Sequence, residues 1–565
     1  MKRFLLIALL LVSFASAAEC SGSVEMGLPA ISEGEEKAGE IVVVQMKLVP
    51  GEGKAYIGAT PPTDSSLQES LEAAVTAAEG LSGEETECDI LLSIRDDSEY
   101  VQGPSGGAAF ALMGYSLLTG QALREDAAIT GRIDEGGAVL PVGGLYEKAL
   151  SARAAGKSHF LTPLQGIDEK LMMENIEGIA VYEVEDLEEA ADFFFWGIIP
   201  EEKPMNLTLD PLPPLAEYNA STPEFRQVAE GIIKRQAEAV KSIEDQGLKE
   251  YFGERMLQQG ELVEKGYYYS AANDAFLAYI LADSISGIDD PDVEGKKQEI
   301  QGCLESIDPP PTTYENYEWV MGAEARLERA ENQLELYGEA ESGTQEEKYY
   351  IVYQLDYALA WCDAAKEMYY FAEKEGGSPL EDEVLKEHAD MLINISSNYS
   401  EIGHSENYQN GMEMYEDGEY AGAAYELMYA LAFEKMTADF LYGNVSSEQI
   451  AELNRGKRES LWGDVFKAHS YYLLETEDMQ GAYAVAIFSG GMEEMRSGIM
   501  QSNYSGQIDE LPGEGSQANK TTFEEEGGGE AECVCPECPE QEVCAAAFVL
   551  LILPLFIKNL PNKKE

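Results

Sequence analysis

The stretch of the sequence most suggestive of chemistry is Gln102–Leu112, in which Ser105 lies between glycines at the start of an apolar run. The apolar run predicts a helix, and the first backbone N–H groups of a helix have no intrahelical acceptor. Together with the positive end of the helix dipole, they can stabilise an oxyanion beside a serine nucleophile. Gly103 and Gly106 are therefore candidate oxyanion-supporting residues. The stretch also fits G-x-S-x-G, the nucleophile elbow of α/β-hydrolases, so taken alone it is ambiguous.

Two further motifs follow this serine. Thr130-Gly131-Arg132-Ile133 comes first, and Leu140-Pro141-Val142-Gly143-Gly144-Leu145-Tyr146-Glu147-Lys148 comes second. Together with Ser105 they resemble the proteolytic domain of Lon-type serine proteases. In that family G-P-S-x-G carries the nucleophile, T-G-x-I follows on a strand, and L-P-x-G-G-[LV]-x-x-K places a lysine on a helix. The intervals between the motifs match the family's spacing, and the resemblance covers about residues 25–197.

The resemblance implies a Ser–Lys dyad. A serine hydroxyl is a poor nucleophile until a base takes its proton, and a lysine becomes a usable base when burial lowers its pKa. By resemblance, Ser105 attacks the scissile carbonyl, Lys148 acts as general base and then as general acid, and Thr130 hydrogen-bonds and orients the lysine. The same resemblance implies an α+β proteolytic domain, unfolded or peptide substrates, and no cofactor or metal.

The sequence departs from the family in two ways. Gln102 stands where many members have an acidic residue, although Asp96, Asp97 and Glu99 lie nearby. The sequence also contains no phosphate-binding G-x4-G-K-[ST] motif, which predicts an endopeptidase that works without ATP. Because the ring-forming motor is missing, the family's hexameric habit leaves a homo-oligomer as an open expectation. Gln102 also favours the alternative of a catalytically inactive Lon-like scaffold that binds partners.

Histidine chemistry is the weaker interpretation. A Ser–His–Asp hydrolase needs a histidine near Ser105, and of the four histidines only His159 follows it closely. We interpret His159 as a core or strand-end residue. No H-E-x-x-H motif occurs, which excludes a zincin.

Both ends of the chain carry apolar segments. Residues 1–18 combine two basic residues, a short apolar run and a small-residue cleavage site, which predicts a secretory signal. Residues 506–542 are acidic and Gly-rich and predict a stalk. Residues 543–557 predict a transmembrane anchor of roughly 22 Å, and the basic residues 558–565 predict a cytoplasmic tail with the bulk of the chain outside. This layout resembles archaeal surface proteins held at the cell membrane.

Sequons and cysteines agree with export. The candidate glycosylation sites are Asn206, Asn219, Asn394, Asn398, Asn444, Asn503 and Asn519. Four cysteines are scattered along the chain: Cys20, Cys88, Cys303 and Cys362. The other four cluster beside the predicted anchor: Cys533, Cys535, Cys538 and Cys544. The cluster fits disulfides outside the cell or, as a minority interpretation, a zinc site.

Residues 19–200 read as a mixture of strands and helices. Residues 41–49 are rich in β-branched side chains and predict a strand, with residues 54–59 as its hairpin partner. Residues 65–78 have helical periodicity. The Pro-rich residues 201–216 predict a linker.

Residues 217–505 predict a mainly helical domain. Two stretches, which begin at Gly266 and Gly418, share the pattern G-x-Y-x-x-A-A-x-[D/E]-x-[F/M]-x-A. The pattern resembles tetratricopeptide helical hairpins, in which small residues let helices approach and aromatic residues fill the groove. The copies are too far apart for one regular repeat, so we expect an irregular helical array. Packing between helices explains the pattern better than a peptide-binding surface does.

The composition limits the partners. With 38 Lys and Arg against 105 Asp and Glu, the formal net charge is −67. Such a chain cannot neutralise a phosphate backbone, so a nucleic-acid function is excluded, and docking on anionic lipid through a basic patch is disfavoured. The sequence therefore predicts a membrane-anchored, ATP-independent Ser–Lys endopeptidase acting on exported or surface proteins.

Overall fold

The computed structural model describes residues 20–31, 39–59, 65–84, 86–94, 103–174, 176–288, 290–338, 340, 344–399, 402–442 and 445–509. The predicted signal, anchor and tail lie outside these ranges, as does the predicted stalk beyond residue 509. Gln102, Asn444, Asn519 and the cysteine cluster beginning at Cys533 also lie outside them. Within the described ranges, no helix is both long enough and apolar enough to cross a bilayer.

The chain begins with a four-stranded sheet in the order β1-β2-β4-β3. Its strands are β1 (Gly22–Ile31), β2 (Gly39–Val49), β3 (Ala55–Ala59) and β4 (Asp89–Ile94). In β2 the side chains alternate in burial, with Val42, Val44 and Met46 pointing into the core. This period of two is what a sheet with one covered face requires.

The predicted hairpin between β2 and β3 is wrong. Strand β4 lies between them: it pairs with β2 in antiparallel fashion and with β3 in parallel, so that Leu92 is opposite both Met46 and Ile57. The Asp89 carboxylate at the start of β4 accepts hydrogen bonds from the backbone N–H groups of Glu52 and Lys54 at 2.7 and 2.9 Å. A residue distant in sequence therefore holds the loop that looked like a local turn.

The remainder of the N-terminal domain alternates helices with short strands. Its helices are α1 (Ser65–Ser82), α2 (Gly107–Thr119), α3 (Leu145–Ala154), α4 (Ile167–Glu174) and α5 (Leu187–Ala191). Parallel strands β5 (Ala127–Ile129), β8 (His159–Thr162) and β9 (Ala180–Glu183) form one sheet, and β6 (Arg132–Ile133) and β7 (Val139–Leu140) form another. Because parallel strands and helices alternate along the chain, the domain is α/β, where we predicted α+β.

Strand β5 separates two apolar clusters. Ala127 and Ile129 belong to the cluster that contains the buried face of α2, whereas Ala128 belongs to the cluster that contains α3. Successive strand residues point to opposite faces, so one strand contacts both helices. Thr130 therefore follows directly on a strand that packs against both α2, which begins just after Ser105, and α3, which carries Lys148.

The rest of the described chain is helical, as predicted. Residues 201–216, the predicted linker, form no helix or strand. The helices are α6 (Phe225–Val240), α7 (Gln246–Glu264), α8 (Tyr268–Ser286), α9 (Val293–Glu305), α10 (Tyr317–Gly338), α11 (Gln345–Glu375), α12 (Asp382–Ser396), α13 (Glu406–Asp417), α14 (Tyr420–Tyr442), α15 (Ser447–Leu453), α16 (Leu461–Glu475) and α17 (Met479–Asp509). We refer to α6–α17 as the helical module.

The two repeated stretches adopt the same local structure. Gly266 and Gly418 both have left-handed backbone, with φ of 88° and 89°, and each ends one helix just before α8 or α14 begins. The acidic position of the pattern also behaves alike in both copies. Arg255 pairs with Asp274 at 2.9 Å, and Arg329 pairs with Glu426 at 2.8 Å. The pattern is therefore used for packing and ion pairing between helices.

The four scattered cysteines form two disulfides that the sequence did not pair. Cys20–Cys88 joins the chain before β1 to the residue before β4, and Cys303–Cys362 joins α9 to α11. One bond therefore lies in the N-terminal domain and the other in the helical module.

Candidate active site

Ser105 lies in a 3-10 turn, Pro104–Gly106, that leads directly into α2. The turn begins after Gly103, whose φ of 90° is in the left-handed region that favours glycine. A Cβ atom at Gly106 would lie 2.8 Å from the ring of Phe110, so this position also requires glycine. Sterics therefore explain both glycines beside the serine, and a helix begins directly after the turn that carries Ser105, as the apolar run predicted.

The T-G pair after β5 holds the backbone of the serine. The Thr130 hydroxyl donates to the Ser105 carbonyl oxygen at 3.3 Å, and the Gly131 N–H donates to the same oxygen at 2.9 Å. The Gly131 carbonyl in turn accepts from the Ala108 N–H at 2.9 Å. Gly131 has φ of 148°, and a Cβ there would lie 2.6 Å from Val139 Cγ1. These contacts explain why glycine follows the threonine.

A residue that the sequence analysis missed supports the turn from the other side. The buried Ser70 on α1 donates its hydroxyl to the Pro104 carbonyl oxygen at 3.1 Å. The carbonyls of two successive residues, Pro104 and Ser105, are therefore fixed by two different elements. Ser70 lies within an ordinary helical pattern, so no local signal distinguished it.

Lys148 lies in the first turn of α3 and is 5% exposed. The helix begins after Gly144, which has φ of 67°, and a Cβ there would lie 1.8 Å from Ile31 Cδ1 of β1. The second glycine of the G-G motif thus lets the helix start directly against the sheet. The Lys148 ammonium donates to the Gly143 carbonyl oxygen at 2.8 Å.

The Lys148 amine is buried without an ion pair among the described residues. Burial lowers its pKa to about 8, and the carboxylates of Glu147 and Glu169 raise it back only in part. At pH 7 about a tenth of such side chains are neutral, compared with roughly one in three thousand for an ordinary lysine. The amine is therefore available as a base near neutral pH.

Glu169 on α4 is a second residue that the sequence analysis missed. Burial, and next the charge of Asp168, raises the pKa of Glu169 well above the usual range of a carboxyl group. One of its oxygens accepts from the Gly166 N–H at 3.1 Å. The charge of Lys148 in turn lowers the pKa of Glu169, so the two buried groups act on each other.

The predicted contact between Thr130 and Lys148 is not formed. Thr130 donates to Ser105 instead, and Lys148 donates to Gly143, so each side chain is held by a backbone carbonyl. Ser105 Oγ and Lys148 Nζ make no direct hydrogen bond to each other in the structure. What the structure does bring together is the backbone of Ser105 with Thr130 at the end of β5, the strand that packs against both α2 and α3.

His159 is a strand-end residue, as we interpreted it. It is the first residue of β8, where its ring lies 5.3 Å from that of Phe193 and its Nε2 lies 3.6 Å from an Asp126 carboxylate oxygen. Neither residue is part of the turn that carries Ser105. These contacts give His159 a structural role and no link to the nucleophile.

Four of the predicted glycosylation sites are described with their side chains, and all four are exposed: Asn206, Asn219, Asn394 and Asn398. Asn503 lies within α17.

Comparison with known families decides the nature of the N-terminal domain. Residues 22–193 match the model of the Lon protease (S16) C-terminal proteolytic domain. The chain carries a Lon proteolytic domain. The matched residues include Ser105, Thr130 and Lys148, and the Lon proteolytic domain supports a serine peptidase.

Individual relatives agree with this match. The chain is 33% identical to the Lon protease of Haemophilus influenzae over 167 residues, which is 28% of this chain and 20% of that protein. It is 35% identical to the Lon protease of Escherichia coli K12 over 138 residues, covering 23% of this chain and 17% of that one. Lon protease 2 of Herpetosiphon aurantiacus is 31% identical over 180 residues, which cover 30% of this chain and 22% of that protein. The chain thus spans about a fifth of the length of these relatives.

Proposed function

We propose that the protein is an ATP-independent serine endopeptidase in which Ser105 is the nucleophile and Lys148 the general base. The observation that carries the proposal is the buried Lys148 amine, which has no ion pair among the described residues and a lowered pKa, in a domain that also fixes Ser105 at a helix N-terminus. A buried lysine without a carboxylate partner destabilises a fold, so its presence needs a functional reason.

The chemistry follows from these two groups. Ser105 Oγ attacks the carbonyl carbon of the scissile peptide bond, and its proton passes to Lys148 Nζ. The oxyanion is stabilised by backbone N–H groups of the turn that carries Ser105. When the C–N bond breaks, Lys148 returns the proton to the leaving amine. Water, deprotonated by Lys148, then hydrolyses the acyl ester on Ser105. Since catalytic hydrogen bonds can tighten only with substrate bound, the dyad contact forms in that complex.

The test is hydrolysis of fluorescently labelled, unfolded casein by the full-length protein without ATP. Ser105→Ala and Lys148→Ala are expected to lower the rate at least about a thousandfold. Ser158→Ala and Lys157→Ala are matched controls at the turn after α3, where Ser158 is exposed and Lys157 is half-buried and donates to the Glu125 carbonyl oxygen. Activity that survives in Ser105→Ala would refute the proposal.

The ATP-independent mode rests on the absence of a phosphate-binding loop motif from the sequence. Without a motor, the enzyme can cleave only segments that are already unfolded. Addition of ATP and Mg²⁺ should therefore leave the casein rate unchanged, and a stably folded substrate should stay intact. A casein hydrolysis rate that rises with ATP would contradict the ATP-independent mode.

We also propose that the enzyme is exported and held at the cell membrane by residues 543–557, where it acts on exported or surface proteins. Two disulfides support an oxidising compartment, since such bonds seldom persist in a reducing cytosol. The exposed sequons support it as well. Protease digestion of intact cells should remove the ectodomain, and protection of the ectodomain would contradict the proposal.

A second candidate is a catalytically inactive scaffold. It is favoured by the contacts of Lys148 and Thr130, because each donates to a backbone carbonyl, of Gly143 and Ser105 respectively, and Lys148 makes no hydrogen bond with the Ser105 hydroxyl. If the wild type shows no hydrolysis of casein or of any peptide library while it remains folded, the scaffold is the better account.

A further inference from the structure

Helix α11 of the helical module packs against the helix that carries Lys148. Glu346, Tyr350 and Tyr353 follow one another at steps of four and three residues, which places them on one face of α11. All three side chains hydrogen-bond to the Lon proteolytic domain. We refer to these three residues as the α11 seam.

The α11 seam contacts the two residues that precede Lys148 in the sequence. The Tyr350 hydroxyl donates to the carboxylate of Glu147, the residue immediately before the lysine. The Tyr350 ring also stacks on that of Tyr146, with centroids 4.4 Å apart. Both residues before Lys148 are therefore held by a single side chain from the other part of the molecule.

The other two residues of the α11 seam contact the region around α3 and α4. Glu346 forms an ion pair with Arg153 near the end of α3 and accepts from the Glu177 N–H at 2.7 Å. Tyr353 donates to the Asp168 carboxylate at 2.9 Å, at the start of α4. Glu169, which acts on Lys148 electrostatically, is the next residue in that helix.

Apolar packing joins the two parts in the same place. One buried cluster contains residues from both: Leu145, Tyr146, Ala149, Met172 and Met173 from the proteolytic domain, and Phe276, Ile280, Tyr349, Tyr353 and Ala360 from the helical module. The lysine helix thus shares its core with the helical module, whereas the serine helix packs in a separate cluster within its own domain. The two halves of the dyad are supported by different parts of the molecule.

We propose that the helical module is a structural part of the peptidase site and that Tyr350 is a positioning residue that acts on Lys148 through Glu147. This inference rests on the proposed Ser–Lys function. Removing the Tyr350 hydroxyl would release the Glu147 carboxylate and loosen the helix that aims the amine. A misplaced catalytic group lowers the rate even when binding is intact.

The charges around Lys148 set the direction of the pH effect. The groups that act on it are Glu147 from its own helix and Glu169 from α4, with Asp168 acting on Glu169. From α11, Tyr350 faces Glu147, and its hydroxyl contacts that of Tyr337 at 3.4 Å. Burial, followed by the charge of Glu147, raises the pKa of Tyr350 above its usual range, so its hydroxyl stays protonated and keeps donating.

Tyr350→Phe in the full-length protein tests the inference through the pH dependence of kcat/KM on a fluorogenic peptide. Without its donor, the Glu147 carboxylate favours the ammonium form more strongly. We expect kcat to fall at least about threefold and the acidic limb to move to higher pH. Glu147→Gln removes the charge and should move the limb to lower pH, and adding Tyr350→Phe to it should then shift nothing further.

Tyr483→Phe is the matched control, because this hydroxyl also donates to a carboxylate, that of Asp439 at 2.6 Å, and both residues lie within the helical module. This control should leave both kcat and the midpoint of the acidic limb of the kcat/KM profile at wild-type values. A wild-type profile for Tyr350→Phe, or a rate lowered equally at every pH, would overturn the inference. If Ser105→Ala is inactive in the same assay, such a result refutes only the role of Tyr350, whereas an active Ser105→Ala refutes the peptidase proposal itself.

Discussion

The hydroxyl of Thr130 donates to the backbone carbonyl of Ser105 at 3.3 Å, which links the end of β5 to the turn that carries Ser105. The same oxygen accepts from the Gly131 N–H, so the turn is held twice. The position of the Ser105 hydroxyl therefore depends on the end of β5 as much as on its own helix.

Thr130→Val keeps the shape of the side chain and removes this donor. Because Thr130 is 1% exposed, the carbonyl loses a hydrogen bond that water does not readily replace, and we expect about 1 kcal/mol of destabilisation. We also expect kcat to fall about tenfold with little change in KM. Thr130→Ser keeps the donor and should stay close to wild type. Equal activities for the valine and serine variants would contradict this role.

The pH dependence of hydrolysis should report the lysine. Only the neutral amine accepts a proton, and burial lowers the pKa of Lys148 to about 8. The rate should rise with pH and level off above about pH 8, with a single acidic limb in kcat/KM. A limb near pH 6.5 would indicate histidine instead.

Burial of Lys148 should cost stability. Its folded-state pKa of about 8 lies below the unfolded value of 10.5, so the unfolded chain binds more protons between these values. The cost is complete below about pH 8 and disappears as the pH approaches 10.5. Lys148→Met should therefore stabilise the protein by about 2 kcal/mol at pH 7, once the lost bond to Gly143 is allowed for.

Thermal melts of the wild type and Lys148→Met at pH 7 and pH 10 measure this effect. The unfolding midpoint temperature of Lys148→Met should lie clearly above that of the wild type at pH 7, and the difference should be much smaller at pH 10. A variant that is less stable than the wild type at pH 7 would show that the amine is not an uncompensated buried charge.

Both disulfides should form when the protein is produced in an oxidising compartment. Cys20–Cys88 closes a loop with a sequence separation of 68 residues, so its loss through Cys88→Ser should destabilise the proteolytic domain by about 4 kcal/mol. Peptide mapping without reduction identifies the pairs, and Cys303→Ser is the control that affects the helical module instead. Free thiols at all four positions under non-reducing conditions would contradict the pairing.

What the sequence predicted correctly is local. A helix follows Ser105, Lys148 lies on a helix, and helices follow Gly266 and Gly418, as the local patterns predicted. The resemblance carried by the serine, threonine and lysine motifs predicted a Lon-type domain, and the family match to residues 22–193 confirms the type of domain.

What the sequence did not predict depends on contacts between distant residues. The insertion of β4 between β2 and β3 follows from pairing that no turn signal encodes. Ser70 on α1 hydrogen-bonds to the Pro104 carbonyl oxygen. Tyr350 hydrogen-bonds to Glu147 from a helix about two hundred residues later in the chain. Ordinary helical patterns contain such residues, so only the folded structure distinguishes them.

The most direct test of the central claim is covalent labelling of the nucleophile. A fluorophosphonate probe should modify the full-length protein at Ser105, identified by peptide mass spectrometry, with a rate that rises with pH to about 8. Lys148→Met should lose the label while remaining folded. Labelling at another serine, or equal labelling of the wild type and Lys148→Met, would contradict a Ser105–Lys148 dyad.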